Sequence, residues 1–187
     1  MGIGQTILNF LKINGITHQV HGNNIEIKQN KVFVDKKEIV QVKELFLNIE
    51  WQGDLANLTV SNGNVKCGNV NGNVDAGEDV SCGDVGDYVD AGGSVTCKNV
   101  GDKVDSGDSV TCENVGGDVN ASGPVKCGNV AGNVEGEDIT CGNVGDYVEA
   151  SGSVTCGDVS GDLEAGEDVT CKSVGGEINA STVKVEK

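Results

Sequence analysis

Eight thiols are the most chemically distinctive residues of the chain: Cys67, Cys82, Cys97, Cys112, Cys127, Cys141, Cys156 and Cys171. Successive gaps are 15, 15, 15, 15, 14, 15 and 15 residues. Such a column admits three chemistries. As disulfides, neighbours one period apart in stacked strands would bring their Cα atoms near the permitted ~4.4–6.8 Å, but side chains pointing the same way suit the torsion poorly. As a metal site, the sulfurs would have to converge tetrahedrally. A straight column does not converge, and no histidine lies in the repeats. As packing, cysteine is a small hydrophobe that shares the inward phase of the valine two residues before it. Packing fits best, and predicts thiols that react slowly in the folded chain because apolar burial disfavours the thiolate.

Carboxylates form a second periodic set. Asp75, Asp90, Asp105, Glu135, Glu149 and Glu164 occupy one position of the repeat, with Asn120 and Asn179 at the same position in two other units. A further acidic cluster precedes the next unit at Glu78-Asp79, Asp108, Glu137-Asp138 and Glu167-Asp168. Paired carboxylates can serve general acid–base catalysis, but here no pair is distinguished from the others. They read either as a solvated face that keeps the molecule soluble or as a recognition surface for a basic partner. His18 and His21 lie outside the repeats and lack an evident third metal ligand. No phosphate-binding glycine loop with its lysine is present. The sequence thus predicts no catalytic residue, no cofactor and no metal.

The elements that position these columns follow from the apolar residues around them. Each unit opens with Val-x-Cys, as in Val65-Lys66-Cys67, with Ile139 the one exception at the first place. A second valine follows three residues after the cysteine (Val70, Val85, Val100), and a third apolar residue four further on (Val74, Val89, Leu163). A small residue comes two places later (Ala76, Ser106). Valine favours strands, and alternation with period two places Val, Cys and Ala on one face. A 15-residue unit is too short for a strand–helix pair. It predicts an all-β fold, a single-stranded β-helix (β-solenoid) of about eight coils stacked at ~4.8 Å. Residues 61–187 are expected to form this repeat domain.

Residues 1–60 are expected to form an N-terminal cap. Ile3–Leu11 has apolar spacing suited to a short amphipathic helix ended near Gly15, with a strand as the alternative, read as a cap element or as a contact for a second copy. Ile25, Ile27, Val32 and Val34 alternate around a turn at Gln29-Asn30, predicting a hairpin. Ile49, Trp51, Leu55, Leu58 and Val60 imitate the repeat and predict an imperfect first coil; Val183 and Val185 predict a last half-coil. The cap is neutral, so the formal charge of −16 belongs to the repeats. That charge argues against direct nucleic-acid binding. The absence of a long apolar run argues against a membrane span, and a cytoplasmic location is the expectation.

Phrases such as Gly83-Asp84-Val85-Gly86-Asp87 and Gly142-Asn143-Val144-Gly145-Asp146-Tyr147-Val148 resemble the short-coil β-solenoids of bacteria and phages, among them the polymer-forming bactofilins and adhesin-head domains. The resemblance covers residues 61–185 and implies architecture. A cysteine in every coil and a 60-residue cap depart from it, and no functional residue carries over. The function expected is that of a non-catalytic interaction protein whose six-carboxylate column meets a basic partner, in one version as a nucleic-acid mimic that inhibits a DNA- or RNA-binding protein. The alternatives are a self-assembling scaffold and, last, an enzyme with a site in the cap.

Overall fold

A computed structural model describes residues 8–13, 16–29, 31–41, 49–52 and 55–185, and it is all-β. Strands recur about every 15 residues and pair in parallel, in register, with the strand one coil away. The result is a β-solenoid of about nine turns. Each coil touches its neighbours along three ladders. The first pairs the Val-x-Cys segments, from Val65–Lys66 to Thr182–Val185, in a nine-stranded sheet. The second is a column of valines joined by short strands or single bridges, from Leu55 through Val70, Val85 and Val100 to Val174. The third pairs the Val-x-Ala segments, such as Val74–Ala76 and Val89–Ala91.

The three valine columns point inward and form one continuous core, with Val74, Val89, Val104 and Val134 fully buried. Each branched side chain fits the pleat, and full burial of one contributes about 1.5–3 kcal/mol relative to exposure. The coil between Cys127 and Cys141 is one residue shorter, the loss falling at the corner between the third and first ladders. Gly136 sits there because a Cβ would meet Val125 Cγ2 at 2.8 Å and the Gly123 carbonyl at 3.1 Å.

The cap supplies seven strands: β1 (Leu8–Ile13), β2 (Ile16–His21), β3 (Asn24–Lys28), β4 (Lys31–Val34), β5 (Lys37–Gln41), β6 (Ile49–Gln52) and β7 (Asn57–Val60). β1 lies between β2 and β6 in an antiparallel sheet. Of the helix or strand expected over Ile3–Leu11, residues 8–11 are strand, which corrects the helical reading there, and 3–7 fall outside the described residues. With a ladder on each side and Leu11 and Ile13 buried while Phe10 is exposed, tertiary pairing selects period two over the helical period.

The β3–β4 hairpin forms as expected, with Gln29 at φ 49°. A second hairpin, β4–β5, turns on Asp35 and Lys36, both at positive φ, as a type I′ turn requires. β3 then pairs in parallel with β7, and β7 with Val74–Ala76. One twelve-stranded sheet therefore runs from β5 through the cap into the third ladder. Leu55, Leu58 and Val60 belong to the ladders of a first coil, but β6 pairs with β1 instead.

Candidate functional site

The six carboxylates take the middle position of the third-ladder strands. Register pairs Asp75 with Asp90, Asp90 with Asp105, Glu135 with Glu149 and Glu149 with Glu164; Asn120 links the two halves, and Asn179 ends the column. Inward Val and Ala on either side force this middle residue outward. The column is thus one straight row with neighbours at about the 4.8 Å strand repeat.

The two halves of the row differ. At the cap-proximal end Asp75 accepts hydrogen bonds from Asn73 Nδ2 at 2.9 Å and from the Tyr88 hydroxyl at 3.2 Å. Lys103 pairs with Asp105 and lies 6.0 Å from the Tyr88 ring centroid. Asp105 holds the Lys103 ammonium above its usual range. In the distal half the Tyr147 hydroxyl donates to Glu135, which pushes the phenol up to about 12. Glu149 has no hydrogen-bond or ion-pair partner among the described residues, and Asn179 reaches Glu164 only at 3.4 Å. The position two residues before each of these carboxylates, beside them on the same face, holds Asn133, Tyr147 and Asp162, so no lysine neutralises them there. Glu135, Glu149 and Glu164 line an open groove of about 430 Å³ floored by Gly136, Ala150 and Ala165. In the cap, by contrast, charges pair with each other: Lys28 with Glu26 at 2.6 Å and Lys31 with Glu38 at 2.8 Å.

The corner acids do other work. Asp79 Oδ1 accepts from Ser94 N at 2.9 Å, Asp138 Oδ1 from Ser153 N at 2.9 Å and Asp118 Oδ1 from Asn133 N at 2.8 Å. Asp162 Oδ1 accepts from Glu177 N at 2.9 Å. At the third corner an asparagine–aspartate column does the same: Asn69 Oδ1 accepts from Asp84 N at 2.9 Å, Asn114 from Asn129 N at 3.0 Å, and Asn143 from Asp158 N at 3.0 Å. Each side chain satisfies a backbone N–H one coil further on, where the corner leaves it without a ladder partner. Sequence reasoning grouped the Asp79 and Asp138 cluster with the exposed charge and missed these bonds. The available signal was the free exchange of Asn for Asp at one corner, which keeps Oδ1 and discards the charge.

All eight cysteines are free thiols. Cys97, Cys112, Cys127, Cys156 and Cys171 are buried, as the packing role requires, whereas Cys67, Cys82 and Cys141 are half-buried. Burial pushes Cys141 up to about 12 and Cys156 up to about 11. Among the described residues no three metal-ligating side chains form a site. His18 and His21, three apart on β2, fall on opposite faces of that strand and do not converge. No known protein family, curated protein or solved structure matches the chain.

Proposed function

We propose that the protein is a non-catalytic binding rod whose acidic column, strongest at Glu135, Glu149 and Glu164, engages a basic protein partner. The observation that carries this reading is what the column preserves from coil to coil. Side-chain length changes from Asp to Glu while charge is kept in six of eight coils, and in the distal half no cation among the described residues pairs with that charge. Repulsion between like charges ~4.8 Å apart costs roughly 0.9 kcal/mol per pair even at the dielectric constant of water. A ladder stabilised for its own sake would alternate sign. Nucleic-acid mimicry is the version the magnitudes favour. Net charge −16, all of it in the repeats, over about 38 Å of nine stacked strands gives one charge per roughly 2.4 Å. Duplex DNA carries one per ~1.7 Å.

The test is binding to an immobilised basic DNA-binding protein at ~50 and ~500 mM salt. Association should weaken steeply with salt. It should also vanish when Asp75, Asp90, Asp105, Glu135, Glu149 and Glu164 become Asn or Gln, with the β circular-dichroism spectrum intact. Undiminished affinity in that six-site variant would remove the reading. A second reading is bactofilin-like self-assembly through the rod's distal end. It is favoured by Val183 and Val185, 45% and 51% exposed on the outermost strand of the first ladder. Light scattering of the Val183→Lys, Val185→Lys variant tests it; particles as large as those of the parent protein would sink it.

A further inference from the structure

We propose that Cys67 and Cys82 are a dithiol modification site, convertible by a small-molecule disulfide into a vertical disulfide that staples the first two Val-x-Cys coils. Their sulfurs stand 2.8 Å apart, so the rotamers already turn the two thiols toward each other. The backbone holds them there. Val65 pairs with Val80 in register, and Cys67 N donates to Ser81 O at 3.0 Å. In-register parallel strands put the Cα atoms ~4.8 Å apart, inside the ~4.4–6.8 Å range that a disulfide spans.

Access singles out this pair. Of the three half-buried thiols, Cys67 and Cys82 are adjacent, while both neighbours of Cys141, Cys127 and Cys156, are buried. Cys67 begins the column and has a sulfur neighbour on one side only. Cys82 is held protonated, chiefly by its hydrogen bond with Cys67 and then by Cys97. Reaction therefore starts at Cys67. Its thiol loses a proton to solvent, and the thiolate attacks one sulfur of a disulfide such as oxidised glutathione. The S–S bond breaks, one glutathione thiolate leaves and takes up a proton, and Cys67 carries the other half. Cys82 then gives its proton to solvent and attacks the Cys67 sulfur, expelling the second glutathione as thiol. Two protein thiols are oxidised by two electrons, and one disulfide is reduced to two thiols.

The test uses the whole reduced chain, incubated with oxidised glutathione at mildly alkaline pH, then alkylated and cleaved after lysine. Cleavage at Lys66 and Lys98 leaves Cys67, Cys82 and Cys97 on one peptide, 67–98. That peptide should be lighter by two hydrogen atoms, with the alkyl group on Cys97. The count of free thiols, taken after unfolding, should fall from eight to six. In Cys82→Ser, Cys67 should retain one glutathione. A Cys82–Cys97 bond, an unchanged thiol count, or glutathione left on both Cys67 and Cys82 of the parent chain would each overturn the proposal.

Discussion

Two sets of acids cover the solenoid, and they obey opposite rules. At one corner the repeat keeps the side-chain length and lets the charge vary: Asn69, Asp84, Asn99, Asn114, Asn129, Asn143 and Asp158 share one position, from which Ser173 departs. On the third ladder six of eight coils keep the charge, Asn120 and Asn179 excepted, while the length varies from Asp75 to Glu164. The corners need an oxygen at a set distance, because a backbone N–H one coil away must be satisfied. The flat face needs no such oxygen, since its backbone groups are spent in the ladder. Chemistry that looks uniform in composition is therefore divided between holding the rod together and dressing its surface.

Substitutions that separate oxygen from charge should break that comparison cleanly if it is wrong. The largest effect is expected from Asp118→Ala with Asp138→Ala. Each leaves a corner N–H without its acceptor, for about 1 kcal/mol apiece at these exposed sites. Chemical denaturation should show the loss, and Asp118→Asn with Asp138→Asn should restore most of it. A smaller and opposite change is expected from Glu149→Gln on the flat face. Removing repulsion from Glu135 and Glu164, at most roughly 0.9 kcal/mol from each, should stabilise by about 1 kcal/mol at low ionic strength, and by nothing measurable near ~1 M salt. Equal losses at face and corner would erase the distinction.

Acid should reach one cap carboxylate and one corner carboxylate late. The Asn24 amide holds Asp35 below the usual carboxylate range, and the Asn99 amide does the same for Asp84. A folded value below the unfolded one means that stability is complete above pH ~4 and is lost as pH falls through the folded value. Asp35→Asn and Asp84→Asn should flatten that limb of the denaturation profile. The smallest effect is spectroscopic. With Glu135→Gln, the phenol of Tyr147 should titrate below about 12, shifted toward the ordinary ~10, while burial and the Glu149 and Asp118 charges keep part of the raise; ultraviolet absorbance reads it.

The period was plain in the chain because Val and Cys recur at positions that packing alone dictates. The six face carboxylates were legible for the same reason: period two sends the residue between Val and Ala outward. What was hidden depended on contacts between coils. Asp79 and Asp75 are the same residue type in the same acidic stretch, and only a corner N–H one coil later separates their roles. Over Ile3–Leu11 five apolar residues in nine satisfy either period, and for residues 8–11 partners on both sides of β1 decided between them. The β4–β5 turn escaped because Asp35-Lys36 lacks the glycine that usually advertises positive φ.

The corner bonds also have a direction. Each side-chain oxygen serves a donor that comes later in the chain, and the first coil is joined to the cap through β3 and β7. A coil emerging during synthesis would find its corner acceptors already waiting on the coil below, while its own ladder N–H groups, like Cys67 N toward Ser81 O, stay on water until the next coil arrives. Assembly of this kind resembles bricklaying from a foundation, with every course levelled by the one before it.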